Sequence, residues 1–307
     1  MKILLIGTGS VGCFYGAKLA HAGGDITFFS RGKSFEIIKE KGIEIKSDLG
    51  DSFQTGVKII DAIVSPSQFD LVIIATKSYD VKSLVDKLPK TLLASSHFMT
   101  VQNGLMSEDI LSERVDHSRI IPATAFIGAI KIAPNVVHHT GGGRFQFGSY
   151  LGGPREGFLD ELASLFEDSA IDLHFSENIM KMKWGKLVWN AAYNPISTVT
   201  GLKLGDILAS PFGVDLLRES MNETVAVARK MGYAITDEFI DKQIDLPENL
   251  YSFKTSMLQD YQAGKPLELE AILGDLIRKG DREGVPTPAQ RHLYALIQVM
   301  LKHRDKS

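Results

Sequence analysis

The stretch from Lys2 to Arg31, KILLIGTGSVGCFYGAKLAHAGGDITFFSR, limits what the chain can fold into more than any other. KILLIG is a continuous apolar run of strand length closed by glycine, which suits a strand buried on both faces. VGCFYGAKLAHAGG carries small and apolar residues at helical spacing and stops at paired glycines, and DITFFSR reads as a second strand. Strand, helix and strand within about 30 residues make a βαβ unit. At its first turn Gly7, Gly9 and Gly12 have the G-x-G-x-x-G spacing. The first glycine allows the tight turn, the second lets backbone approach a pyrophosphate, and the third lets helix and strand pack closely. The segment Gly7, Thr8, Gly9, Ser10, Val11 and Gly12 is therefore expected to hold a dinucleotide, its pyrophosphate on the amides of a helix N-terminus.

The end of the second strand sets the expected cofactor. A carboxylate there would accept from a ribose 2′-hydroxyl. The sequence has Ser30, Arg31 and Lys33 instead, a hydroxyl and two cations that suit a 2′-phosphate, since a guanidinium grips phosphate bidentately. NADPH is thus expected rather than NADH.

Alternation continues downstream. GIEIKS and GVKIIDAI read as short strands, FDLVIIATKS and HFMTVQNG as buried ones, and YDVKSLVDKLPKTL as a helix between them. From about Ile120 the pattern becomes β-rich runs separated by Pro-Asn and Gly-Gly-Gly turns, read as antiparallel strands added at the sheet's edge. REGFLDELASLFEDSA adds a helix and DLHFSENI a short strand. After Asn178 nearly every segment has helical spacing and ends near Gly or Pro, and the KHRDKS tail is expected to fray. The expected fold is an α/β Rossmann-type dinucleotide-binding domain with added antiparallel edge strands over residues 1–178, then an all-α substrate and catalytic domain over 179–307. A chain of 307 residues also exceeds the usual single-core size.

Composition removes several function classes. Net charge is −3 with lysine and arginine dispersed, which gives no footprint for nucleic acid or an anionic membrane. The N-terminal apolar run is too short for a signal-peptide core, and no run approaches the roughly 18 residues of a membrane span. Cys13 is the only cysteine, which excludes an intrachain disulfide and a cysteine metal cluster and suits a reducing cytoplasm. His138 and His139 are neighbours, so on a strand they point to opposite faces, and no metal site is expected. Cys13, Trp184 and Trp189 read as packing residues, and Asp206 and Asp260 as helix-cap or surface acids.

KWGKLVWNAAYNP, residues 183–195, poses a different problem. It puts Lys186, Asn190 and Asn194 every fourth residue in an apolar run. Residues on a helix turn by roughly 100°, so positions four apart drift about 40° and the three share an arc of about 80°. They form one polar stripe on an apolar helix, which read alone is a solvated face.

With this stripe opening an all-α domain behind a dinucleotide-binding half, the chain resembles the ketopantoate reductase family from end to end. GTGSVG with Arg31 looks like that family's NADPH fingerprint, and ATKSYD like the segment holding a lysine near the cofactor, here Lys77. VQNG is similar to its Asn-Gly beside the nicotinamide, here Asn103, and Ala129 in FIGAI falls where the family lays backbone along the cofactor. KWGKLVWNAAYNP is similar to its lysine and asparagine motif, and SMLQDYQAGKPLELEAILG to its late motif, with Ser256 and Glu268.

The resemblance implies NADPH-dependent reduction of 2-dehydropantoate to pantoate, in pantothenate and coenzyme A synthesis. Lys186 would be the catalytic acid. Asn103, Asn190, Asn194 and Ser256 would bind substrate, and Glu268 would orient substrate and cofactor and pair with Lys186. The stripe would then face an interdomain cleft. The segment after Asn194, PISTVTGLKLGD, lacks the further asparagine some relatives carry, which leaves the particular 2-oxo acid open. Alternatives are a related reductase of another 2-oxo, β-hydroxy or opine-type acid, and a non-catalytic NADP(H) sensor, favoured if Lys186 faces solvent. The expected partner is a small 2-oxo acid, for a cytoplasmic monomer or homodimer.

Overall fold

Ile3, Leu4, Leu5 and Ile6 are all buried, as a strand covered on both faces requires. They belong to β1 (Lys2–Ile6), which leads into α1 (Ser10–His21), β2 (Asp25–Phe29) and α2 (Gly32–Lys41). Ile3 and Leu5 join a core with Phe14 of α1 and Phe28 of β2. Leu4 and Ile6 point the other way, into a core with Val81 and Leu92. The period-2 alternation of a strand thus divides four consecutive apolar residues between two layers.

The computed structural model describes residues 1–64 and 68–304, which form two compact units: Met1–Gln102 with Ser107–Met180, and Asn103–Met106 with Lys181–Ser307. In the first unit the chain continues through β3 (Ile43–Ser47), β4 (Phe53–Thr55), β5 (Lys58–Ile60) and β6 (Leu71–Ile74). It goes on through α3 (Ser78–Val85), α4 (Lys90–Ser95), β7 (His97–Thr100), α5 (Met106–Ser112), β8 (Ile120–Ala133), β9 (Val136–Phe147), α6 (Phe158–Glu167) and β10 (Leu173–Phe175).

The strands run in the order β4-β3-β9-β8-β7-β6-β1-β2-β5, with β10 on β9. Pairing from β8 through β7, β6, β1 and β2 to β5 is parallel throughout. The added strands β8 and β9 pair antiparallel, and β3 and β4 from earlier in the chain continue beyond them. YDVKSLVDKLPKTL, expected as one helix, is two, α3 and α4. Pro89 between them disfavours helical backbone at Leu88 and has no amide to give.

The second unit is helical: α7 (Ile179–Thr200), α8 (Leu204–Leu208), α9 (Pro211–Lys230), α10 (Asp237–Ile244), α11 (Ser256–Gln262), α12 (Asp275–Glu283) and α13 (Pro288–Arg304). A π-helical turn, Glu270–Gly274, leads into α12. The helix α9 is packed by α8, α10, α12 and α13. Asp206 accepts from the Lys203 amide at 3.3 Å at the start of α8, the capping role expected of it. The KHRDKS tail enters the last turn of α13, and its residues 305–307 lie outside the described residues. Among the described residues no helix is long and apolar enough to cross a membrane.

Candidate functional site

In the first unit the glycine loop is built by steric exclusion. Gly7 has φ +110°, and a Cβ there would lie 2.6 Å from the Ala75 carbonyl carbon; one on Gly12 would lie 2.1 Å from the Gly7 oxygen. Neither position admits a side chain without moving backbone. A Cβ on Gly9 would meet only the Ala75 oxygen, at 3.9 Å, so the space over Gly9 is open. Gly9 caps α1, whose first turn, with Ser10 and Val11, carries no acidic residue. An anion is favoured there by unpaired amides and the helix dipole.

A cavity of about 410 Å³ opens beside the loop, lined by Gly7, Thr8, Ser30, Arg31 and Thr76 together with Asp80. Ser30 shares a hydrogen bond of 2.7 Å with Thr8, hydroxyl to hydroxyl. Arg31 is exposed, with its guanidinium 5.5 Å from the centre of the Phe29 ring. The steric cradle, the open face of Gly9 and the cation on the cavity wall fit a dinucleotide. Lys77 precedes α3 in extended backbone, and Ala129 follows a register shift in β8 where it pairs with His139.

One cation near the loop has no signal in the local sequence. Lys131, on β8, donates to the Thr8 carbonyl at 2.6 Å and to the Ser34 hydroxyl at 3.3 Å. Only the folding of the sheet brings residues 123 apart in sequence together. The Cys13 thiol lies 3.4 Å from the same carbonyl, and burial pushes it up to about 11, as a packing thiol requires. His138 meets Asp48 at 2.8 Å while His139 is buried against Ser47 at 2.9 Å, the opposed faces expected of strand neighbours.

In the second unit the stripe is not a solvated face. Asn190 and Asn194 are 6% and 1% exposed, and Trp184, Leu187, Val188 and Ala191 are buried around them. Pro195 sits inside α7 directly after Asn194, removing one backbone donor and crowding the carbonyl four residues back. Both polar atoms of the Asn194 amide are buried without a hydrogen-bond partner among the described residues. An unpaired buried amide is rare, and a polar ligand could satisfy it.

Lys186 is held at a pKa of about 8, first by burial, then by the charge of Lys183 one turn earlier, with Glu268 opposing both. Lys183 is itself 3% exposed, and its i, i+3 spacing on α7 is a signal readable in the sequence. Glu268 lies just ahead of the π-helical turn and accepts from the Asn103 amide nitrogen at 3.3 Å. Asn103 packs with this unit although its chain neighbours before it belong to the sheet. Gly104 secures the arrangement, for at φ +78° a Cβ would lie 2.2 Å from the Ala271 carbonyl oxygen. Lys186, Glu268 and Asn103 therefore form one electrostatic group, with Asn190 and Asn194 on the same helix as the lysine. Ser256 is exposed at the start of α11, and among the described residues no hydrogen bond ties it to the stripe.

The family model described as ketopantoate reductase PanE/ApbA matches residues 3–152, and that for its C-terminal part matches residues 178–301. The chain is 30% identical over 297 residues to 2-dehydropantoate 2-reductase of Nostoc sp., covering 95% of this chain and 93% of that one. Among solved structures, 2-dehydropantoate 2-reductase from Geobacter metallireducens superposes with a TM-score of 0.90 at 30% identity, covering 98% of this chain and all of that one. A D-mandelate dehydrogenase in a ternary structure with NADH and anilino(oxo)acetate has the same fold, with a TM-score of 0.90 at 23% identity over 99% of both chains. Two consecutive family matches and a full-length relative lead to one conclusion: the chain belongs to the ketopantoate reductase family and is an oxidoreductase.

Proposed function

We propose that the protein reduces 2-dehydropantoate to pantoate with NADPH, the step that serves pantothenate and coenzyme A synthesis. The observation that carries the reading is the half-buried lysine of the stripe, its pKa lowered to about 8 and opposed by Glu268. Reduction of a 2-oxo acid needs a proton at the developing alkoxide and positive charge beside it. With a pKa of about 8, Lys186 is largely protonated at neutral pH and gives up its proton readily. When bound, the cofactor supplies the hydride that reaches the carbonyl carbon. Lys186 delivers its proton to the carbonyl oxygen and is reprotonated from solvent.

Asn103 steadies Glu268, which aligns the substrate hydroxyl and the cofactor. The unpaired amide of Asn194, with Asn190, hydrogen-bonds substrate oxygens without adding charge, and Ser256 binds the carboxylate end. In the N-terminal unit the glycine loop, Lys77 and Ala129 line the dinucleotide, and Arg31 grips the 2′-phosphate. The burial of the stripe speaks against a sensor that has lost its chemistry. A lone, buried Cys13 suits work in the reducing cytoplasm.

A second reading, reduction of another 2-oxo acid by the same residues, is favoured by the fold shared with a D-mandelate dehydrogenase whose ternary structure holds NADH and anilino(oxo)acetate. Following NADPH absorbance with 2-dehydropantoate, a panel of other 2-oxo acids and NADH separates the two. NADPH-preferring turnover of 2-dehydropantoate that falls by about 10² to 10⁴ in Lys186→Ala supports the proposal. Turnover of a different acid with the same collapse transfers the mechanism to that substrate, and NADPH binding without turnover of any acid overturns the catalytic reading.

A further inference from the structure

Lys131 is the group the proposed mechanism leaves unused. Its ammonium approaches the glycine loop from β8 and ends 2.6 Å from the Thr8 carbonyl oxygen. The same oxygen meets the Cys13 thiol at 3.4 Å, so both of its partners come from one side. In a trans peptide the carbonyl and the N–H that follows point in opposite directions. The Gly9 N–H is therefore directed away from Lys131 and Cys13. The Gly9 Cα has open space, with nothing nearer to a Cβ there than 3.9 Å. The second bond of Lys131, 3.3 Å to Ser34, fixes the ammonium against α2, and burial lowers its pKa.

We propose that Lys131 is a positioning residue for the cofactor: by holding the Thr8 carbonyl it turns the Thr8–Gly9 peptide so that the Gly9 amide is presented to the pyrophosphate. This rests on the dinucleotide reading of the N-terminal unit. It assigns Lys131 a task different from that of Arg31. Arg31 addresses a phosphate that only NADPH carries, whereas the pyrophosphate is common to NADPH and NADH.

The test measures dissociation constants for NADPH and NADH by nicotinamide fluorescence in the wild type, Lys131→Met, Lys131→Gln and Arg31→Ala. Lys131→Met removes a charge-assisted hydrogen bond to a buried carbonyl and weakens both dinucleotides by the same factor, about tenfold to a hundredfold. Lys131→Gln keeps an N–H donor without the charge and recovers part of the loss. Should Lys131→Met not fold, Lys131→Gln still shows an equal, several-fold loss for both. In turnover the loss falls on KM for the cofactor rather than on kcat, which general destabilisation would not produce.

Arg31→Ala, in contrast, weakens NADPH alone. Unchanged affinity in both Lys131 variants overturns the role. A loss confined to NADPH overturns it too, since that pattern means direct contact with the 2′-phosphate. A wild type that binds neither dinucleotide removes the cofactor reading itself and this role with it.

Discussion

Lys186 shows how a side chain becomes reactive through its surroundings. Its ammonium is disfavoured by burial and by Lys183, and Glu268 restores only part of the loss. The folded-state pKa lies below that of the unfolded chain, so the unfolded chain binds more protons between about pH 8 and pH 10.5. The resulting cost to stability is present in full below pH 8 and is relieved as pH rises through that window. Lys186→Met is therefore expected to stabilise the protein at pH 7, by up to about 3 kcal/mol given the partial exposure of the residue, while lowering turnover by about 10² to 10⁴. Urea denaturation at pH 7 and pH 10 checks it, the gain shrinking at the higher pH. In the wild type, reduction rate should fall as pH rises past about 8, because the proton-bearing form is lost; a pH–rate profile reads this directly. Asn194→Leu removes an unpaired buried amide, so stability should hold or rise while KM for the 2-oxo acid increases, as steady-state kinetics with parallel melting curves would report. The spacing of the stripe was legible in KWGKLVWNAAYNP. Its burial was not, because a polar residue every fourth position looks the same on a solvated helix as on a buried one.

Helices of the second unit depend on contacts from distant chain. At the first turn of α13 the Ala289 and Gln290 amides donate to the Glu223 carboxylate at 2.8 and 3.0 Å. The carboxylate comes from α9 and does what an N-cap side chain does locally. Glu223→Ala leaves both amides without their acceptor and should cost about 1–3 kcal/mol in chemical denaturation. A nearby exposed carboxylate such as Glu219 should lose little when treated alike. The helix α13 could be read from its own pattern, but its cap could not: the neighbouring Thr287 hydroxyl finds no hydrogen-bond partner among the described residues, and the acceptor comes from α9 instead. Pro89 teaches the converse: a local breaker inside YDVKSLVDKLPKTL divided one apparent helix into α3 and α4, and apolar periodicity alone overlooks it.

At the scale of the molecule, two compact units divide the work proposed for them. A ligand of the N-terminal unit alone should stabilise that unit by mass action, about 2.7 kcal/mol at a hundred times its Kd. Calorimetry with NADPH should therefore raise the transition of the N-terminal unit, and Arg31→Ala should reduce the shift given by NADPH while leaving that given by NADH. The βαβ unit, the glycine loop, Arg31 at the end of β2 and the helical character of the second half all followed from the sequence. Each is a local matter of strand alternation, helical period or a glycine where a Cβ cannot fit. Three arrangements were decided only by the tertiary structure: Asn103 packed with the helical unit, Glu223 capping α13 and Lys131 on the Thr8 carbonyl. Each joins residues far apart in the chain, and a sequence records which groups are present but not which of them folding brings within a hydrogen bond.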